Sequence, residues 1–293
     1  MIQYDPHKWL DHFFDIKGSL VKEISGRVIL CTLWSIGVVY FHLNVQQIDI
    51  PVTIHTLIGV ALGLLLVFRT NASYDRFWEG RKLWGGIVNE TRNLIRSSEA
   101  FLKDSPETRK EIAVWMISFI YSTMHSLRGQ KDLGPASEML TEQKRDEALN
   151  SLHPSMYSAR QISLALQNAK TSGKLNEYAQ VTIDQNVQLL VDFMGGCERI
   201  HKTPLPFAYV VHLRRALFIY CFTLPFALVG TSDHLWLTVV ETLFLSYVYF
   251  GIEEIGVEIE DPFGEDENDL PLEDICASIF RNTKALMPDV KLD

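Results

Sequence analysis

Apolar positions in this chain gather into four long runs: Val28–Val45, Ile50–Phe68, Ala216–Ser232 and Leu235–Ile252. The first three contain no Asp, Glu, Lys or Arg, and the fourth contains only Glu241. Each reaches or nears the ~18–20 residues that an α-helix needs to cross a bilayer. They come as two close pairs, joined through Gln46–Asp49 and around Ser232–His234, so the pattern predicts two membrane hairpins. Inside the second run, Val60, Leu64 and Phe68 fall four apart and share one stripe of a helix, while Gly59 and Gly63 mark a neighbouring stripe. The glycine side can pack closely against another helix, which leaves the bulky stripe to face something else, such as a central axis.

Between the pairs, Ser137–Leu152, Ser155–Ala169 and Leu175–Arg199 space their apolar residues by threes and fours, which predicts helices. Gly195-Gly196 are expected to interrupt the last of these, and Pro204-Leu205-Pro206 to hand the chain over to the third span. Ile112–Leu127 is also uncharged, but it is short and holds Ser118, Ser122, Thr123, His125 and Ser126. Ser105-Pro106-Glu107 before it offers an N-cap, a first-turn proline and an early carboxylate. That stretch is therefore expected to be a buried core helix and not a fifth span. The segment around Trp9, Leu10, Phe13 and Phe14 reads as an amphipathic helix at the membrane surface. Nothing alternates as strands do. The expected fold class is all-α, a four-span membrane protein with a helical cytoplasmic domain. Its parts would be an N-terminal segment (1–27), a first hairpin (28–68), the helical domain (69–206), a second hairpin (207–252) and an acidic loop with a C-terminal helix (253–293).

Average composition hides this organisation: mean hydropathy is +0.05, charged residues make up 22% and the net charge is −9. The placement of cations restores it. Lys8, Lys17, Lys22 and Arg27 precede the first run; Arg69, Arg76, Arg81 and Lys82 follow the second; Lys202, Arg214 and Arg215 precede the third. The hairpin turns carry no Lys or Arg, so the positive-inside rule puts both termini and the middle region in the cytoplasm of a plasma-membrane protein. No signal-peptide pattern opens the chain.

Candidate chemistry is sparse. Cys31, Cys197, Cys221 and Cys276 are isolated and read as small buried hydrophobes. No histidine–carboxylate spacing suggests zinc, and there is no phosphate-binding glycine loop or Gly-x-Ser-x-Gly elbow, so an enzyme is not expected. No cofactor is required and no nucleic-acid partner is expected. His55 lies one turn into its helix, near the interface. Glu241 is more central, a candidate for an interior hydrogen bond or a pore-facing charge. Glu253–Leu270 holds nine carboxylates and no base. It is either a solvated acidic loop or an oxygen-rich cation site, and its spacing is not that of an EF-hand.

Three blocks carry a family resemblance. Phe68-Arg-Thr-Asn-Ala-Ser-Tyr-Asp-Arg-Phe-Trp-Glu-Gly-Arg-Lys-Leu-Trp84 resembles the segment after the pore helix in prokaryotic bestrophins. Gly195-Gly-Cys-Glu-Arg-Ile-His-Lys-Thr-Pro-Leu-Pro-Phe-Ala-Tyr209 is similar to that family's approach to its third span. Glu260-Asp-Pro-Phe-Gly-Glu-Asp-Glu-Asn-Asp-Leu-Pro-Leu272 resembles its Asp/Asn-Pro-Phe-Gly-acidic signature. The resemblance implies a homopentameric channel for small monovalent ions in a lipid bilayer, anions by family, with sodium-type cations open. It makes Val60, Leu64 and Phe68 an apolar neck, with Gly59 and Gly63 packing beside the pore. It places a lower cytoplasmic constriction near Tyr178. Asp266 and Asp269 match the carboxylates of the calcium clasp in animal members, whereas Glu258 and Asp261 stand where those members have amides. A membrane-anchored scaffold and a secondary transporter are the alternatives, although the hairpins show no inverted-repeat similarity.

Overall fold

The computed structural model describes His7 and residues 18–47, 50–231 and 234–292, and among these it is helical without a strand. The expected amphipathic segment around Trp9 and Phe13 lies outside the described residues. Two compact units divide the chain.

The first unit takes in the chain through Phe77, Pro204–Asp261 and Asp266–Asp269. It contains helices α1 (Val21–Asn44), the first part of α2 (Val52–Phe101), α8 (Phe207–Leu228) and α9 (Leu235–Glu258). These are the four described helices long and apolar enough to cross a membrane. Three of them reach well beyond their apolar runs, because Arg27, Arg214 and Glu253 are taken up inside the helices as charged pairs. Helix α2 runs 50 residues without a break, since no proline or cap stands between Phe68 and Phe101 to stop it.

Packing in this unit follows membrane rules, in which lipid offers no hydrophobic penalty and close contact of small side chains does the work. Helix α1 presents Val28, Cys31, Ser35 and Val38, and α9 presents Thr238, Thr242, Ser246 and Phe250, all buried. Ser35 Oγ meets Thr242 Oγ1 at 3.3 Å across that seam. Leu62 and Leu66 of α2 complete the core with Leu213, Leu217 and Leu224 of α8.

The second unit comprises Trp78–Thr203, Pro262–Glu265 and the chain from Leu270. At its centre lies α3 (Pro106–Leu127), buried almost throughout from Ile112 to Met124. Around it are α4 (Ala136–Met139), α5 (Glu142–Asn150), α6 (Pro154–Thr171), α7 (Glu177–Lys202) and α10 (Leu272–Leu286). The serines of the uncharged stretch find matched partners: Ser118 Oγ lies 2.8 Å from Ser158 Oγ, and Ser122 Oγ donates to Ser155 Oγ at 3.1 Å. Buried hydroxyls satisfied by other buried hydroxyls suit a globular core.

Three local expectations need correction. Ser105 precedes α3 but its side chain makes no cap; Pro106 alone sets the first turn. Ser137–Leu152 is two helices, because Leu140 is extended and the Thr141 hydroxyl accepts from Lys144 N–H to start a new one. Gly195-Gly196 do not interrupt α7. A Cβ on Gly196 would stand 2.7 Å from Leu83 Cδ2, so this glycine serves a close helix approach within a continuous helix.

Candidate functional site

Helix α2 sorts its membrane portion into two faces. His55, Leu62, Leu66, Arg69 and Ser73 are buried, at the spacing of one helical side. Val60, Leu64 and Phe68 lie on the other side, 69%, 55% and 57% exposed within the protomer. The same stripe continues through Asn71 and Asp75, both exposed, so it turns from apolar to polar just past Phe68. Such a stripe presents three bulky apolar side chains in a column that the described residues leave more than half exposed.

Behind the stripe, α2 is held by an aromatic and hydrogen-bonded backing. Tyr249 Oη donates to the Gly59 carbonyl at 3.1 Å, and a Cβ on Gly59 would meet Tyr220 Oη at 2.7 Å. Gly59 thus lies in close contact with α8 and α9. A Cβ on Gly63 meets no other atom of the chain within 4 Å. His55 is buried, stacked on the Tyr220 ring at 4.9 Å, with Nε2 3.3 Å from the Tyr220 carbonyl and from Thr223 Oγ1. It is a buried histidine with its ring nitrogen partnered, in the first turn of α2.

Next below Phe68, Arg69 enters a charged hub. Its side chain is 1% exposed, with Nη1 3.6 Å from Glu253 and Nη2 3.6 Å from Glu260. Glu253, equally buried, also receives Arg214 Nε at 2.9 Å and Arg27 Nη1 at 3.2 Å. Arg27 reaches Glu254 as well. Glu260 Oε1 accepts from Leu205 N–H at 3.0 Å, and its carbonyl from Arg76 Nε at 2.9 Å. Three guanidiniums and three carboxylates therefore join α1, α2, α8 and the end of α9 in one neutral layer. The positive charge of Arg69 is spent inside the protomer and does not reach the exposed stripe.

This hub was not foreseen. Glu253, Glu254 and Glu260 belong to the carboxylate-rich run, and for these three the solvated-loop reading is wrong because distant arginines meet them. The count of arginines at the ends of the other spans was the available signal.

Elsewhere the predicted residues separate. Tyr178 begins the first turn of α7 in the second unit and is 87% exposed. Glu241 is half-buried on α9, with Oε2 buried and unbonded among the described residues. Asp266 and Asp269 do come together, through the main chain: Asp266 N–H donates to Asp269 Oδ2 at 2.8 Å, and Asp269 N–H to the Asp266 carbonyl at 3.0 Å. Burial, with neighbouring Asp266, Asp261 and Glu258, pushes the Asp269 carboxyl up to about 6. Among the described residues no three His, Cys, Asp or Glu side chains converge as a metal requires. Calcium takes six to eight oxygens, and the carboxylates of Asp266 and Asp269 alone do not supply that set. All four cysteines are buried and free, and burial pushes the Cys197 and Cys276 thiols up to about 12. At that value they remain unreactive thiols.

Comparison with known proteins supplies a family for this arrangement. A family model described as Bacterial/Fungal Bestrophin protein matches residues 1–285. A voltage-dependent anion channel-forming protein of Nostoc sp. is 38% identical over 291 residues, covering 97% of this chain and 94% of the relative. The protein YneE of Escherichia coli K12, with the same descriptive name, is 34% identical over 288 residues, covering 95% and 91%. The crystal structure of a bacterial bestrophin homologue from Klebsiella pneumoniae superposes with a TM-score of 0.85 at 32% identity, over 90% of this chain and 98% of that one.

Proposed function

The chain belongs to the bacterial and fungal bestrophin family, and from that premise we propose that it forms a homopentameric channel for small monovalent ions. The observation that carries this reading is the exposed column Val60, Leu64 and Phe68 on a helix whose other face is buried. Five copies around one axis would make three apolar rings, each about one helical turn or ~5–6 Å from the next. A narrow apolar ring offers no group to replace the water an ion must shed, so it gates by dewetting. Gly59, backed by Tyr220 and Tyr249, fixes the helix behind the first ring. Tyr178 supplies a second constriction in the helical domain. The protein sits in the plasma membrane with both termini on the cytoplasmic side, as the cation distribution requires.

Anions such as chloride are the permeant species on the strength of what the Nostoc and Escherichia relatives are called. One observation favours cations as a second reading. Arg69 is neutralised in the hub, and the first ionised group on the exposed stripe below the neck is Asp75. Carboxylates lining a passage concentrate cations.

Planar bilayers holding purified protein test both levels. Alanine at Val60, Leu64 and Phe68 together should raise conductance or hold the channel open; conductance no greater than wild type would remove the neck. Under a potassium chloride gradient, a reversal potential near that of chloride selects anions and one near that of potassium selects cations. A protein that never conducts would leave a scaffold.

A further inference from the structure

Arg214 and Arg215 are adjacent on α8 but turn to different sides. Arg214 points inward to Glu253 in the neutral layer. Arg215 is exposed and makes no ion pair or hydrogen bond with any described residue. The hub fixes the level of this layer: charges from all four spanning helices collect there, and the apolar runs begin beyond it. Arg215 therefore stands at the edge of the hydrocarbon with a charge that no described residue answers. An arginine at that depth reaches for an anion at the membrane surface.

The face around it has a matching gradient. Ala208, His212, Arg215 and Ile219 recur at spacings of four, three and four, so they form one exposed stripe of α8. Toward the bilayer centre that stripe is apolar, with Ile219 and the neighbouring Phe218 both exposed. At the layer of the hub it carries the cation Arg215 and, one turn further out, the polar ring of His212. A phospholipid has the same order along its length, acyl chain and then phosphate.

We propose that this face of α8 binds one anionic phospholipid per protomer, with its phosphate on Arg215 and His212 and an acyl chain along Phe218 and Ile219. The planar guanidinium can engage two phosphate oxygens at once, which an ammonium cannot. A zwitterionic lipid offers the same phosphate but carries its own cation beside it, so the site favours a net negative headgroup. The inference requires α8 to span the bilayer; it does not require the protein to conduct.

Native mass spectrometry of the purified full-length assembly, titrated with phosphatidylglycerol or phosphatidylcholine, tests the site without reference to current. Wild type should retain phosphatidylglycerol in preference to phosphatidylcholine. Arg215→Gln should weaken phosphatidylglycerol binding by about fivefold, the usual effect of one basic residue at an anionic surface, and leave phosphatidylcholine unchanged. Arg215→Lys, which keeps the charge and the fold, should recover part of that loss. Equal phosphatidylglycerol binding by wild type and Arg215→Gln would overturn the proposal. So would an Arg215→Gln assembly that loses subunits while its lipid preference is unchanged, because Arg215 would then face a second copy of the chain.

Discussion

At the scale of single residues, the buried pair Arg69 and Glu253 carries the sharpest energetic consequence. Removing one partner of a buried ion pair typically costs about 3–5 kcal/mol, because the other charge is left without compensation. Glu253 serves three guanidiniums, one of them as buried as itself. Glu253→Gln should therefore lower the unfolding temperature markedly. Among the described residues Glu254 pairs with Arg27 alone, which is 39% exposed, so Glu254→Gln should cost less than Glu253→Gln. Thermal unfolding of both variants in the same detergent checks the ranking, and equal losses would sink the hub as described. Asp269 gives a contrasting case of opposite sign. Its folded carboxyl titrates near 6 against an ordinary 3.8, so the native state binds the proton more tightly than the unfolded state does. Stability from this group is greatest below 3.8 and falls as pH rises through about 6. A displacement of that size corresponds to at most about 3 kcal/mol. Asp269→Asn keeps an oxygen for the Asp266 N–H and should stabilise the protein at pH 7, with the gain fading as pH is lowered from 6 to 4. Unfolding temperatures that run parallel across that range would contradict it.

At the scale of elements, Gly59 and Gly63 make different predictions although their sequence pattern treats them alike. An added methyl at Gly59 strikes the hydroxyl end of the buried Tyr220, whose ring is fixed by His55 and Tyr249. Gly59→Ala should cost about 1–3 kcal/mol, as overpacking does. Gly63→Ala meets nothing among the described residues beyond its own helix and should leave the stability of a protomer unchanged or raise it by up to about 1 kcal/mol. Chemical unfolding of the two variants separates them. The helices themselves were legible in the chain, because unbroken apolar runs and threefold-to-fourfold spacing reflect local geometry. Their ends were less so: Arg27, Arg214 and Glu253 lie outside the apolar runs yet are interior residues of their helices, since their partners lie on other helices. The seam of Ser35 against Thr238, Thr242 and Ser246 was written plainly as small residues every four positions on one span. What a single chain cannot write is which helix that seam will meet. The neck stripe was visible for the opposite reason, since Val60, Leu64 and Phe68 need only their own helix to align.

At the scale of the whole molecule, that stripe decides the assembly. An apolar column facing lipid would be unremarkable if it ended in apolar or snorkelling residues. Here it runs on into Asn71 and Asp75, exposed on the same side and immediately past Phe68. Asn71 and Asp75 stand past Arg69, outside the hydrocarbon that the charged layer bounds, so this polar continuation suits a water-lined passage below the membrane. On the proposed reading, copies of the chain around an axis cover the column, and closed rotational symmetry is the ordinary way for a chain to arrange this. Five protomers of 33.5 kDa predict an assembly of about 170 kDa by native mass measurement. Leu64→Cys should then form disulfide-linked dimers on mild oxidation, since equivalent positions converge at one height on the axis. Ile219→Cys on the outer face of α8 should not, although it is equally exposed in the protomer. A monomeric mass, or cross-linking at Ile219 with none at Leu64, would place the column in lipid and remove the pore.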